Sequence, residues 1–297
     1  MILNLLRGFL IGVTDLIPGV SGGTTALILG IYPRMIQQVT LIDGNLLNKA
    51  LSRDFNGVKN HLQWSFLWHL FLGLVLGILT LSRALPWIFQ NYPHEVWSLF
   101  FGLMSASVLL LWRRLSLPLI PRFALFMLGT SAAWLIVGWM PVQTPQHFAM
   151  YFLAGVLSIS AMILPGLSGA FVLLLLGQYE VFLLALKQLD AASLMTLFFF
   201  ASGMLVGLMS TSRVIYYFYQ KAPQVMISLM IGFIAGSLRK IWPWRQPLDV
   251  QVIGGKVRVL SEQNLIPDFS QGQTHLCLFI ILISSVLLVL IESRARA

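Results

Sequence analysis

The sequence predicts an all-α polytopic membrane protein made of two inverted repeats, each a re-entrant helical hairpin plus three transmembrane helices. Three observations lead there. First, 10% of the 297 residues are charged and 58% are hydrophobic, with a mean hydropathy of +0.84. Soluble domains run near ~25% charged. Too few polar side chains exist to cover a water-soluble particle, so the solvent is a bilayer and an ordinary soluble enzyme is excluded. Second, six apolar runs approach the ~20 residues a helix needs to cross hydrocarbon. Third, two further apolar regions are interrupted by the same Pro-Gly-x-Ser-Gly pattern.

Taken in order, the expected spans are residues 64–82, 96–112, 123–140, 194–212, 225–238 and 276–291. Polar connections fall at 37–61, 113–122 and 241–274. The last is the longest, and its 250–259 stretch around Gly254-Gly255 reads as a small hairpin outside the membrane. The net charge of +9 comes from 19 Lys and Arg against 10 Asp and Glu, and the basic residues sit between apolar runs. That is the pattern of loops held inside by positive charge, not of a nucleic-acid face, so no nucleic-acid partner is expected. Cys277 is alone, which excludes a disulfide framework. No small-residue cleavage site precedes the first Gly/Pro cluster, so a cleaved signal peptide is not expected.

The interrupted regions are residues 3–32, broken at Pro18-Gly19-Val20-Ser21-Gly22-Gly23, and 148–179, broken at Pro165-Gly166-Leu167-Ser168-Gly169. Proline removes a donor and clustered glycines add backbone freedom, so each region reads as two half-helices joined by a loop at membrane depth. Such backbone survives where protein or a wet cavity satisfies its polar groups.

These regions are also repeats of one another. Gly8 matches Gly155, Pro18-Gly19-x-Ser21-Gly22 matches Pro165-Gly166-x-Ser168-Gly169, and Leu29-Gly30-x-Tyr32 matches Leu176-Gly177-x-Tyr179, all at one offset. At a second constant offset, Gly73-x-x-x-Gly77 with Ser82-Arg83 matches Gly203-x-x-x-Gly207 with Ser212-Arg213. At that same offset Ser98-Leu99-x-x-Gly102 matches Ser228-Leu229-x-x-Gly232. Repeat 1 therefore covers residues 1–140 and repeat 2 covers 148–297. A re-entrant first element gives three crossings per repeat, and an odd number inverts the second copy. A crossing first element gives four and parallel copies. Lys and Arg counts accept either arrangement. The short second halves, 24–32 and 170–179, favour re-entrance.

A Gly/Ser-rich loop that opens a helix suits an anion, because N–H groups converge there, the helix dipole adds positive charge and glycine permits close approach. The candidate phosphate contacts are Gly19, Ser21, Gly22, Gly23 and Thr24 in the first loop, and Gly166, Ser168 and Gly169 in the second. Thr25 adds a hydroxyl. Arg83 and Arg213, at matched ends of apolar runs, form a candidate clamp, since the guanidinium fork suits phosphate. Snorkelling to the interface is the plainer reading of both. Arg7 is a weaker candidate, because its repeat mate is Ala154. Asp15, three residues before the first loop, is a candidate coupling carboxylate or a cap, and Glu180 is a second candidate that also reads as a solvated end. The five histidines are scattered singly, so no metal or other cofactor is expected.

At these residues the sequence resembles a known family. Arg7-Gly8-Phe9, Asp15-Leu16-Ile17-Pro18-Gly19-Val20-Ser21-Gly22-Gly23-Thr24 and Ile28-Leu29-Gly30-Ile31-Tyr32 resemble the first signature of the PopT family of bacterial and archaeal membrane proteins. Ile163-Leu164-Pro165-Gly166-Leu167-Ser168-Gly169 with Leu176-Gly177-Gln178-Tyr179-Glu180 resembles its second signature, and Phe100-Phe101-Gly102-Leu103 a third stretch. The resemblance covers nearly the whole chain. It implies a polyprenyl-phosphate transporter of the bacterial cytoplasmic membrane. Such a protein would return undecaprenyl phosphate from the outer to the cytoplasmic leaflet, with possible proton or sodium coupling.

Two rival classes share parts of this pattern. A small-anion or ion transporter would use the same loops and arginines without a lateral opening to lipid. A lipid-phosphate phosphatase would need loop glutamates and a histidine, and neither loop carries a histidine. No Gly-x-x-x-x-Gly-Lys-Ser/Thr loop is present, which argues against ATP drive.

Overall fold

The computed structural model describes residues 1–17, 21–82, 84–139, 141–253 and 256–296. The chain opens with α1 (Ile2–Asp15), followed by the short helices α2 (Gly22–Ile28) and α3 (Tyr32–Thr40). The expected polar connection then contains α4 (Gly44–Leu51) and α5 (Phe55–His61). Next come α6 (Trp64–Leu81), α7 (Ala84–Asn91), α8 (Pro93–Arg113) and α9 (Leu119–Gly138). They are followed by α10 (Phe148–Ile163), α11 (Gly169–Leu175), α12 (Tyr179–Gln188), α13 (Ala191–Lys221) and α14 (Pro223–Ser237). A 3-10 turn (Leu238–Ile241), strands β1 (Arg245–Ile253) and β2 (Lys256–Asn264), and α15 (Gly272–Arg296) complete the chain.

Among the described residues, six stretches are long and apolar enough to cross a membrane: α6, α8, α9, α13, α14 with its 3-10 turn, and Gly272–Leu290 of α15. They coincide with the six expected spans, with different ends. The largest extension is α13, whose 31 residues run to Lys221, well past the expected end at 212. Apolar content falls there while Tyr216-Tyr217-Phe218-Tyr219 continues the helix, and aromatic rings of this kind suit the membrane interface. The fold is not purely helical: β1 and β2 pair antiparallel, with Val250 opposite Val259. This is the hairpin expected from the sequence. Its Gly254-Gly255 turn, like Gly19 and Arg83 of the candidate site, lies outside the described residues.

Glycines set which helices pair. A Cβ at Gly8 would stand 2.0 Å from Leu70 O and one at Gly12 2.2 Å from Leu74 O, so α1 lies against α6 backbone to backbone. The matched pair is α10 on α13, where Gly155 faces Phe200 O at 2.3 Å and Gly203 faces Phe152 O at 2.0 Å. In both pairs the contacts advance together along the two chains, so the helices run parallel. The segment between α1 and α6 therefore returns the chain to the end from which α1 starts. In the second repeat, α11 and α12 meet at 108°. Gly30 (φ +71°) and Gly177 (φ +64°) make the matched Leu-Gly-x-Tyr turns in left-handed backbone.

The remaining spans pair across repeats. Gly129 packs on Leu229 O and Gly232 on Phe126 O, joining α9 to α14, while Gly102 meets Ile281 O and Ser284, joining α8 to α15. The matched helices α8 and α14 run in opposite directions. Ser116 N, just past α8, reaches Gln224 at the start of α14 (3.0 Å), while His94 at the start of α8 reaches Pro243 O beyond the end of α14 (2.8 Å).

Small residues let TM backbones approach, and packing is their main source of stability. Gly203→Ala is expected to cost about 1–3 kcal/mol through overpacking. The measurement is thermal unfolding in detergent. A midpoint equal to wild type would show that the α10–α13 contact is not as close as its geometry.

Candidate functional site

Two broken helices meet loop to loop inside the bundle. α1 ends at Asp15, with Leu16 as its C-cap. The chain restarts as α2 with Ser21 as its N-cap, in extended backbone (φ −115°, ψ 136°). Ser168 occupies the equivalent cap of α11 with nearly the same angles (φ −109°, ψ 131°). The duplicated sequence thus gives duplicated local geometry.

Across the interface between the loops, Gly166 N donates to Thr24 Oγ1 at 2.7 Å, with both residues buried. Ser21 Oγ donates to Met162 O at 3.2 Å and Tyr32 OH donates to Ile163 O at 3.0 Å. Each bond satisfies backbone that the break in the other helix leaves open, as membrane depth demands. Gly166 is held at φ +94°, and a Cβ there would stand 2.8 Å from Phe233 O of α14.

The loops differ in what they leave free. In the first, Gly22 N donates to Asp15 Oδ1 (2.7 Å), Gly23 N to Ser21 Oγ (3.2 Å), and Thr24 N and Thr25 N to Ser21 O. Thr25 Oγ1 donates to Thr14 Oγ1 (2.8 Å). A carboxylate already occupies the position an anion would take. In the second loop the residue matched to Asp15 is Met162, whose uncharged thioether is only a weak acceptor. Ser158 Oγ donates to Gly169 O (3.1 Å), and the Gly169 and Ala170 N–H groups have no partner among the described residues. Gly169 is packed close to Ser158, since a Cβ there would lie 2.7 Å from Ser158 O.

The structure therefore brings together Asp15, Ser21, Gly22, Gly23, Thr24, Gly166, Ser168 and Gly169. It sets the other described candidates elsewhere. Arg213 is exposed and its Nη2 donates to Ile42 O at 3.1 Å, just past α3. Glu180 is exposed in the first turn of α12, where a carboxylate favours the helix dipole. Arg7 reaches Asn4 Oδ1 at 3.3 Å, one turn along α1.

Residues that sequence reasoning missed include Tyr32, Thr14 and Ser158. Tyr32 was legible as the end of a repeated motif, but its hydroxyl partner lies in the other repeat. Thr14 and Ser158 sit inside apolar helices with no local signature.

A family model described as VCA0040-like, undecaprenyl phosphate translocase-like, matches residues 11–255. The chain belongs to this family. Among curated proteins, it is 34% identical over 293 residues to the polyprenyl-phosphate transporter of Vibrio cholerae serotype O1 (strain ATCC 39315 / El Tor Inaba N16961), covering 96% of this chain and 94% of that protein. It is 30% identical over 284 residues to the polyprenyl-phosphate transporter of Staphylococcus aureus (strain NCTC 8325 / PS 47), covering 85% of this chain and 93% of that one. No solved structure matches. Membership in the translocase-like family bears out the resemblance read from the two loop motifs, and sets the chain among multi-pass membrane transporters rather than hydrolases.

Proposed function

We propose that this chain is a secondary transporter that moves undecaprenyl phosphate from the outer to the cytoplasmic leaflet of a bacterial cytoplasmic membrane, recycling the carrier lipid. The observation that carries this reading is the direct contact of two matched polar loops inside an apolar bundle, Thr24 to Gly166, in a member of a translocase-like family. A phosphate cannot cross hydrocarbon unaided at useful rates. A polar seam at membrane depth supplies donors for the head group while the chain stays in lipid.

The architecture in this reading is an inverted repeat with six crossings, two re-entrant elements and both termini in the cytoplasm. Its support is directional: α1 and α10 run parallel to α6 and α13, and the matched α8 and α14 run opposite ways. In this reading Arg213, turned to Ile42 O, meets the head group at the end of its path, and Arg83 stays its candidate partner by sequence match alone. The phosphate takes its N–H donors mainly from Gly169 and its hydroxyl from Ser168, with Ser21, Gly22, Gly23 and Thr24 on the facing side. Gly166 shapes the second turn, and Gly19 is its counterpart in the sequence.

Inward movement of the anion is opposed by an inside-negative potential at about 2.3 kcal/mol per charge per 100 mV. A phosphate monoester carries about −1.5 to −2 charges near neutral pH. Proton or sodium entry offsets this. In this reading Asp15 is the coupling group: a cation taken up there neutralises the carboxylate on Gly22 N and opens the α2 end to phosphate. Glu180 is a second coupling candidate at the exposed end of α12.

Two measurements test the proposal. Cysteine labelling after Tyr32 and within 141–146 should report opposite sides, and the N-terminus and the 33–63 segment the same side. Opposite sides for the latter pair would sink re-entrance. Proteoliposomes should take up undecaprenyl phosphate only when the protein is present, and equal uptake without it would sink transport.

A further inference from the structure

A separate cavity of about 560 Å³ opens at the hairpin end of the bundle, between Trp134, Trp139, Phe171, Arg239, Lys240 and Glu262. A second of about 510 Å³ shares Trp134 and Arg239 with it. Two cations follow α14 directly in its closing 3-10 turn. Lys240 Nζ pairs with Glu262 Oε2 at 3.0 Å, and Arg245 Nη1 pairs with the same oxygen at 2.7 Å. Glu262 is thus shared between two cations. The Arg239 guanidinium lies over Trp134 (4.7 Å to the ring centre) and has no carboxylate partner among the described residues. Arg239 Nη1 also donates to Trp134 O at 3.4 Å, so the cavity keeps a net positive charge and, at its wall, a guanidinium held on Trp134 that no carboxylate among the described residues neutralises.

The walls are amphipathic. Trp134 on α9 and Trp139 just past its end are 50% and 65% exposed, and tryptophans with that exposure belong at the membrane–water boundary. The outward face of α9 continues with exposed Leu128 and Leu135, which lipid must cover. A charged head beside Arg239 therefore has an apolar path for a chain alongside. Phe171 ties the cavity wall to the helix that the second loop opens. Lys240 Nζ stands 5.2 Å from the centre of Phe171, two residues after Gly169. Along α14, Arg239 is about 9 Å of helix rise from Phe233, on which Gly166 packs.

We propose that this cavity is a capture site for the phosphate head of a phosphate monoester with a long apolar chain, with Arg239 as its principal contact and Lys240 beside it. It rests on the transport reading for its direction, since the hairpin end is then the outer face. A free phosphate shares the head-group chemistry but makes no use of the tryptophan-lined opening.

The test uses the detergent-solubilised full chain, titrated calorimetrically with farnesyl phosphate, inorganic phosphate and farnesol. Farnesyl phosphate should bind saturably, inorganic phosphate about tenfold more weakly or worse, and farnesol not at all. Arg239→Gln should weaken farnesyl phosphate by about tenfold or more, and Arg239→Lys should recover most of it. In proteoliposomes Arg239→Gln should raise the half-saturating lipid concentration more than it lowers the maximal rate. Wild-type affinity in a monodisperse Arg239→Gln protein overturns the site. Equal affinity for inorganic and farnesyl phosphate overturns its lipid character. A wild-type protein that binds farnesyl phosphate through Arg239 but moves no lipid overturns the transport reading and leaves the site standing.

Discussion

Gly166→Ala is expected to reduce lipid uptake by well over tenfold and to lower the thermal midpoint by several degrees. Two costs add at this residue. The backbone sits at φ +94°, a region that costs an L-residue about 1–2 kcal/mol. The new Cβ would also stand 2.8 Å from Phe233 O and 3.0 Å from Phe233 C, backbone atoms that move only if α14 moves. Overpacking of this kind typically costs about 1–3 kcal/mol. Relief by shifting the loop breaks the Gly166 N to Thr24 Oγ1 bond that joins the repeats. Gly30→Ala is the control. It has a similar positive φ, +71°, but no atom within 4 Å of the added Cβ, so it should keep uptake with a smaller loss of stability. The checks are uptake into proteoliposomes and thermal unfolding of both variants. Wild-type uptake by Gly166→Ala would show that the loop seam is not where the head group passes.

The second large effect is expected at Asp15, where two substitutions separate two roles. Asp15→Ala removes the acceptor at 2.7 Å from Gly22 N and leaves an N–H unpartnered at membrane depth. That costs about 1–3 kcal/mol, and both stability and uptake should fall. Asp15→Asn keeps an oxygen to accept from Gly22 N–H and keeps the turn, but it cannot gain or lose a proton. Its stability should be near wild type, while its uptake should no longer respond to an imposed proton or sodium gradient. If Asp15→Asn responds as fully as wild type, Asp15 is a cap and the coupling group lies elsewhere.

Both experiments probe contacts that one-dimensional reading reaches only in part. The Pro-Gly-x-Ser-Gly motif is legible because it breaks an apolar run where a helix would otherwise continue, and its duplication is legible because spacing survives in sequence. Asp15 drew attention as a charge in an apolar stretch, and its capping role was one of the two readings open to it. Its partner was hidden, since nothing in residues 15–22 states which way the turn folds. Arg213 shows the opposite case. Its match to Arg83 is plain in sequence, yet in the fold it turns to Ile42 O at the bundle end. A match in sequence does not say what a side chain meets in the fold.

The pocket at Arg239 and Lys240 was legible neither as a motif nor as a repeat, because the matched positions in α8 are Leu109 and Leu110. Their neighbours come from α9, α11 and β2, far apart along the chain.

The sequence alone determined the solvent, the six spans and the two breaks, because hydrocarbon thickness fixes how many apolar residues a crossing needs and proline and glycine end helices locally. Those are properties of contiguous residues. Tertiary structure decided which helices pair, that α8 and α14 run in opposite directions, and that Thr24 holds Gly166 while Asp15 fills the end of α2. In lipid every exposed face is equally apolar, so hydropathy carries no record of partners. Close approach of small residues and the obligation to satisfy buried backbone choose them.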